Sequence, residues 1–266
     1  MIKIKNGGGE EHLIEQNKFP DGTLNIKNLP PYANSIYWFY ENDAELFTII
    51  CLRKHYWYSE YIQLIMPYLP HARMDRVKNE TENFSLKHFC ETINWLNFSE
   101  VRILDPHSNV GPALLDRVLV ESNDWVINYT LNSLETSHLE KELIAFYPDE
   151  GAMKRYSNKT KIPYAFGIKK RNWEDGKILG LDIVNKELVK DKDVLIIDDI
   201  CSRGGTFLHS AKVLKEAGAN KIFLCVTHCE NTMLTGEMYK SNLIDHIFTT
   251  DSIFTGHGEN ITVIEY

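Results

Sequence analysis

The sequence predicts an α/β protein built on mostly parallel sheets, and three observations carry that prediction. Apolar runs of strand length recur along the chain and are followed by stretches with helical spacing. The clearest run, Val194-Leu195-Ile196-Ile197, is apolar at consecutive positions, as a strand covered on both faces must be. From Asp193 to Thr227 the order reads strand, helix, strand, which is a βαβ unit and implies parallel pairing.

Taken in chain order, strands are expected near Ile36 to Phe39 and Tyr61 to Met66, a helix near Leu86 to Leu96, and a strand at Val101 to Leu104. The polar run NYTLNSLETSHLE at 128–140 is the best candidate for a passage between two α/β halves, so units of 1–135 and 136–266 are expected. The apolar segments LIAFY and YAFGI follow, each ending in charged residues. A strand is then expected at 193–198 and a helix from Phe207 to Ala217, with Gly218 as its stop and a strand at 221–227 beyond. In that helix Phe207, Ser210, Ala211, Leu214 and Ala217 share one face, while Lys212, Lys215 and Glu216 point outward. The stripe reads as core.

With 266 residues and 43% hydrophobic composition the chain can bury substantial cores. A formal net charge of -8 argues against sequence-independent nucleic-acid binding, so phosphate recognition has to come from locally placed basic residues. The apolar runs fall far short of the roughly 20 residues that span a bilayer. The start MIKIKNGGGE has no signal-peptide core, and a cytoplasmic protein without membrane or nucleic-acid partners is expected. Five cysteines, an odd number scattered along the chain, read as free thiols. Cys225, His228 and Cys229 invite a zinc reading, but they follow an apolar strand without a second ligand pair, and core packing is the better account.

The chemistry collects at strand ends. Asp198 and Asp199 close the apolar run, where open α/β sheets bind ligands, and two acids there can hold ribose hydroxyls or Mg²⁺. Ser202, Arg203, Gly204, Gly205 and Thr206 then lead into a helix; hydroxyls, flexible glycines and a positive helix end make an anion cradle. No Lys follows the glycines, so this is not an ATP P-loop. Arg73, Asp75 and Arg76 after the second strand can grip a polyphosphate. His107, in Asp105-Pro106-His107, stands where it can ligate a metal or touch a phosphate. Asp149 follows LIAFY, with Arg155 nearby, and Lys169, Lys170 and Arg171 follow YAFGI.

In this order the motifs resemble those of the ribose-phosphate diphosphokinase (PRPP synthetase) family, from about Phe19 to Ser252. FPDGT at 19–23 resembles F-x-D-G-E, MPYLPHARMDR at 66–76 resembles P-Y-x-x-Y-A-R-Q-D-R, and DPHS at 105–108 resembles D-L-H-A. PDEGAMKR at 148–155 resembles P-D-x-G-x-x-x-R, IKKR at 168–171 the short basic motif, DDICSRGGT at 198–206 resembles D-D-I-x-D-T-A-G-T, and TTDSI at 249–253 is similar to T-N-S-I. The resemblance implies two tandem phosphoribosyltransferase-like α/β domains, with the site between them and completed by a neighbouring subunit of a homo-oligomer. It implies transfer of the β,γ-diphosphate of ATP to the anomeric hydroxyl of ribose 5-phosphate, with Mg²⁺ as cofactor and AMP as by-product. The carried-over roles are Phe19, Asp21, Arg73, Asp75, Arg76 and His107 on ATP, with His107 and Asp149 also on the metal. Lys169 and Arg171 would steady the moving phosphoryl group. Asp198 and Asp199 would hold the ribose, and Ser202, Arg203, Gly204, Gly205 and Thr206 the acceptor's phosphate.

Departures cluster at the acceptor end. Thr23 stands where the family has Glu, Met74 where it has Gln, Ile168 where it has an acid, and Ser202-Arg203 where it has Asp-Thr. The last exchange makes the loop about two charges more positive and suits a more anionic or extended 5′ group, such as that of ADP-ribose, whose diphosphorylated product would be an activated donor for NAD synthesis. Two other readings stand beside this: a phosphoribosyltransferase, which has no need of the FPDG and ARMDR segments, and an inert regulatory subunit, which has no need of His107, Asp149, Lys169 and Arg171 together.

Overall fold

The computed structural model of the chain describes residues 1–171 and 178–266, and for 169–171, 178–179 and 181 the backbone alone. It divides into two compact units, Met1–Ser122 and Asn123–Tyr266, both α/β.

The first unit begins with β1 (Ile2–Lys5) and β2 (Glu11–Leu13), a small hairpin of β3 (Asn17–Lys18) and β4 (Leu24–Asn25), and β5 (Ser35–Trp38). It continues with α1 (Glu45–His55), β6 (Gln63–Ile65), α2 (Ser85–Trp95), β7 (Glu100–Leu104), α3 (Val110–Leu114) and β8 (Val118–Glu121). The sheet runs β2-β1-β5-β6-β7-β8; β5 to β8 are parallel and β1 is antiparallel to both its neighbours. In α2, Leu86, Phe89, Cys90 and Ile93 recur at helical spacing and are all buried. Helix α1 has no such stripe in sequence, because apolar residues surround it; Ile49 and Leu52 are buried while Phe47 is 58% exposed. Its first turn also buries Glu45, which accepts hydrogen bonds from Trp38 Nε1 and from the backbone N–H of Glu41, both at 2.8 Å. A buried carboxylate is tolerated where donors surround it.

The second unit runs α4 (Asp124–Ser137), β9 (Leu143–Tyr147), α5 (Glu150–Tyr156), β10 (Tyr164–Arg171), β11 (Ile178–Val184), β12 (Asp193–Cys201), α6 (Gly205–Glu216), β13 (Ile222–Cys229), α7 (Glu237–Lys240), β14 (His246–Thr250) and β15 (Ile261–Ile264). Its sheet order is β11-β10-β9-β12-β13-β14-β15, parallel except for β11. The passage expected around residue 135 falls inside α4, and the units divide at residue 122 instead. The physical reason is burial: Val126, Ile127 and Leu134 of α4 pack into the second unit's core with Tyr147, Leu195 and Phe223. Among the described residues no helix is long and apolar enough to cross a membrane.

Strand β12 also runs three residues past its expected end. It stays paired with β13 through Ile200↔His228 and Cys201↔Cys229, so the acid pair lies within a strand rather than after one. Cys225 and Cys229 are buried, and all five cysteines are free thiols. His228 shares a 2.8 Å hydrogen bond with Ser252 Oγ, and Cys225 Sγ accepts one from Thr130 Oγ1. That is core chemistry.

Candidate active site

Strands β10, β9, β12 and β13 are consecutive and parallel, so the segments leaving their carboxyl ends share one edge of the second unit. Asp149 leaves β9, Asp198 and Asp199 lie in the last stretch of pairing before the end of β12 at Cys201, Ser202 to Thr206 follow that strand, and Glu230 leaves β13. Lys169 and Arg171 belong by backbone to the end of β10, and their side chains lie outside the described residues.

Carboxylates meet here with little water to separate them. Asp199 is 6% exposed. Its backbone N–H donates to Asp198 Oδ1 at 2.9 Å, and Arg155 Nη1 approaches its Oδ2 at 3.9 Å. Burial pushes Asp198 well above the usual carboxylate range, and the charges of Asp199 and Asp149 push in the same direction. Asp149 caps α5 by accepting from the backbone N–H of Ala152 at 3.0 Å, which fixes its direction. Two carboxylates so placed can accept hydrogen bonds from ligand hydroxyls or help hold a cation. Among the described residues no group of three or more His, Cys, Asp or Glu side chains gathers as a metal cage.

The adjoining loop is shaped for an anion. Gly204 adopts φ 78° as the N-cap of α6, and a Cβ there would meet Met238 Sδ at 2.5 Å and Cβ at 2.7 Å. The segment after β13 presses on the loop again at Gly236, whose added Cβ would lie 2.3 Å from the Arg203 carbonyl oxygen. The loop is thus walled by the 230–238 segment, which sequence reasoning missed. Glu230 is the important part of that wall: its Oε2 accepts from Ser202 Oγ at 2.6 Å and from Thr232 Oγ1 at 3.0 Å. Its backbone N–H donates to the Cys201 carbonyl at 2.8 Å, which fixes it beside the loop entry. Glu230, leaving the neighbouring strand, thus sets a carboxylate against the Ser202 hydroxyl at the loop's entry. Register on β12 and β13 produces this pairing, and no local motif announces it.

In the first unit, β6 and β7 are parallel neighbours, so Arg73 to Arg76 and Asp105 to His107 both leave the carboxyl edge of that sheet. Arg73 is exposed; Asp75 is mostly buried and takes Arg76 Nε on its Oδ1 at 3.1 Å, leaving the rest of the Arg76 guanidinium in solvent. Asp105 is buried and holds a left-handed φ of 38° just before Pro106, strain that aims the turn carrying the half-buried His107. Phe19 and Asp21 stand apart on the β3–β4 hairpin. Its Pro-Asp-Gly turn closes through Gly22 N–H to Phe19 O at 2.8 Å, with Gly22 at φ 86°. Phe19 is 51% exposed, and the Thr23 hydroxyl and N–H both donate to Asp21 Oδ1, which lowers the Asp21 pKa.

Residues 152–256 match the phosphoribosyl transferase domain family. Over nearly its whole length the chain is similar to the ribose-phosphate pyrophosphokinase of Pyrococcus abyssi, at 26% identity across 98% of this chain and 95% of that one. The ribose-phosphate pyrophosphokinase of Listeria ivanovii is 29% identical across 72% of this chain and 60% of its own length. Among solved structures, the phosphoribosylpyrophosphate synthetase of Mycobacterium smegmatis superposes with a TM-score of 0.76 over 95% of this chain and 86% of that chain, at 17% identity, a likeness of fold.

Proposed function

The chain belongs to the ribose-phosphate pyrophosphokinase (PRPP synthetase) family of diphosphotransferases, and from that premise we propose that it moves the β,γ-diphosphate of ATP onto the anomeric hydroxyl of a ribose-5-phosphate-type acceptor, releasing AMP. The observation that carries this reading is the single edge of the second unit at which Asp149, the Asp198-Asp199 pair and the Ser202–Thr206 loop all emerge.

The acceptor end works by complementarity. Asp198 and Asp199 accept hydrogen bonds from the ribose hydroxyls, while loop N–H groups and the Thr206 hydroxyl hold the 5′-phosphate at the positive end of α6. Orientation of the anomeric oxygen in line with the β-phosphorus supplies much of the rate. Asp149 in the second unit and His107 in the first are each proposed as Mg²⁺–ATP ligands, and the ion when bound supplies charge neutralisation for the triphosphate. Arg73, Asp75 and Arg76 position the nucleotide, and Lys169 and Arg171 meet the charge that develops on the transferred group. The exposed tip carrying Phe19 and Asp21 is proposed to reach the nucleotide of an adjacent subunit, Phe19 stacking on adenine, which makes the working form a homo-oligomer.

Ribose 5-phosphate is the first acceptor on this reading. ADP-ribose is the second, favoured by the Ser202-Arg203 exchange. The test is to supply Mg-ATP with each acceptor in turn and follow AMP and the sugar diphosphate by mass spectrometry. AMP released in step with product, and lost in Lys169→Ala, is the expected result. Release of free diphosphate from an already activated sugar, with no use of ATP, would replace this reading by a phosphoribosyltransferase; no turnover at all would leave an inert subunit.

A further inference from the structure

His71 stands two residues before Arg73, in the segment proposed to hold the nucleotide, and its backbone is unusual. Its φ of 61° is left-handed, a conformation that a residue with a Cβ disfavours and holds only where its surroundings compel it. Those surroundings come from three elements. Strands β5 and β6 are parallel neighbours, so the residues leaving β5 meet those leaving β6 at one edge of the first sheet. From the β5 side, Asp43 Oδ1 lies 3.0 Å from His71 Nε2 and also accepts from the Tyr40 hydroxyl at 2.8 Å. Asp43 is itself tied to α1, whose Leu46 N–H donates to its carbonyl at 3.1 Å. From α2, the ring of the buried Phe89 lies 5.4 Å from the imidazole. On the β7 side, Leu69 is buried against Gly111 of α3, where an added Cβ would collide with Leu69 Cδ2. The turn is thus anchored at Leu69 and Ala72 by burial and at His71 by its side chain. The His71 carbonyl accepts from the Met74 N–H at 2.8 Å, which sets the course of the chain through Arg73 to Asp75 and Arg76.

We infer that His71, pinned by Asp43, is a positioning residue for the nucleotide: it holds a left-handed turn that aims Arg73, Asp75 and Arg76 at ATP. This role rests on the proposed use of that segment for ATP, and adds to it two residues outside the carried-over roles. Because the Asp43 side chain is 67% exposed, the pin is screened by solvent and its effect on binding is modest.

The experiment measures Mg-ATP binding by calorimetry, without acceptor, on the full-length wild type and its variants. His71→Asn keeps a residue type that tolerates the left-handed backbone but withdraws the imidazole from Asp43 and Phe89. Asp43→Ala removes the pin from the other side. Each is expected to weaken ATP binding about threefold to fivefold, and the two together no further than His71→Asn alone. Asp43→Asn is the conservative variant: its Oδ1 still accepts from His71 and Tyr40, so binding stays within about twofold of wild type. In turnover the same loss is expected in KM for ATP, with kcat and the KM for the sugar acceptor unchanged, a split that general loss of structure would not produce. Unchanged ATP affinity in both His71→Asn and Asp43→Ala would overturn the inference, and so would fully additive losses in the double variant. If His71→Asn does not fold, Asp43→Ala, at an exposed position, decides the matter alone. A wild type that binds Mg-ATP yet releases no AMP with any acceptor sinks the transfer reading only; one that binds no Mg-ATP sinks both.

Discussion

Two adjacent glycines between β12 and α6 are predicted to respond in opposite ways to the same substitution. Gly204 sits at φ 78°, and a Cβ there would meet the sulfur, Cβ and Cε of Met238 at 2.5, 2.7 and 2.9 Å. Gly205, the first residue of α6, is in helical conformation, and its added Cβ meets nothing within 4 Å. For Gly204→Ala the left-handed backbone costs about 1–2 kcal/mol and overpacking against α7 a further 1–3 kcal/mol. About 0.5–1 kcal/mol returns through the restricted unfolded chain. The net loss is about 1–4 kcal/mol, a fall in melting temperature of roughly 3–12 °C for a unit of this size. Gly205→Ala should change stability by less than about 0.5 kcal/mol or raise it, since alanine is the better helix former. Met238→Ala in the Gly204→Ala background removes the sulfur and terminal methyl but leaves Cβ, so recovery is expected to be partial. The assay is urea denaturation followed by far-UV circular dichroism, with phosphate binding measured on each variant. Equal losses at 204 and 205, or an undisturbed Gly204→Ala, would refute the tight-wall geometry and with it the placement of the 230–238 segment against the loop.

Other outcomes follow from the buried charges. Asp198, held above the ordinary carboxylate range by burial and by Asp199 and Asp149, contributes stability only while protonated, so that contribution is lost as pH rises from acid toward neutral. Asp198→Asn is therefore expected to raise the melting temperature at pH 7 while lowering turnover by about 100-fold or more; a loss of both would contradict the strained acid pair. Asp193 behaves oppositely. Burial alone would raise its pKa, but N–H groups of Glu140, Lys141, Asn220 and Lys221 outweigh that and lower it, so its stabilising effect holds above the ordinary Asp range and fades as pH falls through it. Asp193→Asn turns an amide toward these donors and should cost about 2–4 kcal/mol in urea titrations at pH 7, with the gap to wild type narrowing in acid. His246 has its pKa lowered by burial and by His138, so the unfolded chain binds the proton more readily and stability declines as pH falls below the ordinary histidine range. His246→Gln should flatten that part of the stability profile measured by scanning fluorimetry.

Much of the fold was legible because its strongest signals are local. The apolar run before Asp198, the stripe of α6 and the stop at Gly218 are consequences of period and conformational preference, and they hold wherever the segment is placed. Helix α1 was illegible because apolar side chains surround it, and α4 because its buried Val126, Ile127 and Leu134 are outnumbered by polar neighbours. Which of those residues become core depends on the surface they meet, and that surface comes from distant strands.

The same division runs through the site. By itself the sequence determined the residue types and their order: an acid pair, a glycine-bearing loop and basic clusters each closing an apolar run, because a strand delivers its next few residues to the sheet's carboxyl edge. Only tertiary structure decided which of these groups share an electrostatic environment. Strand order β9-β12-β13 sets Arg155 beside Asp199, lets Asp149 act on Asp198, and carries Glu230 onto Ser202. Charge interactions fall off with distance in space, and separation along the chain has no bearing on them. The acid that accepts from Ser202 could therefore be found only once β13 lay against β12.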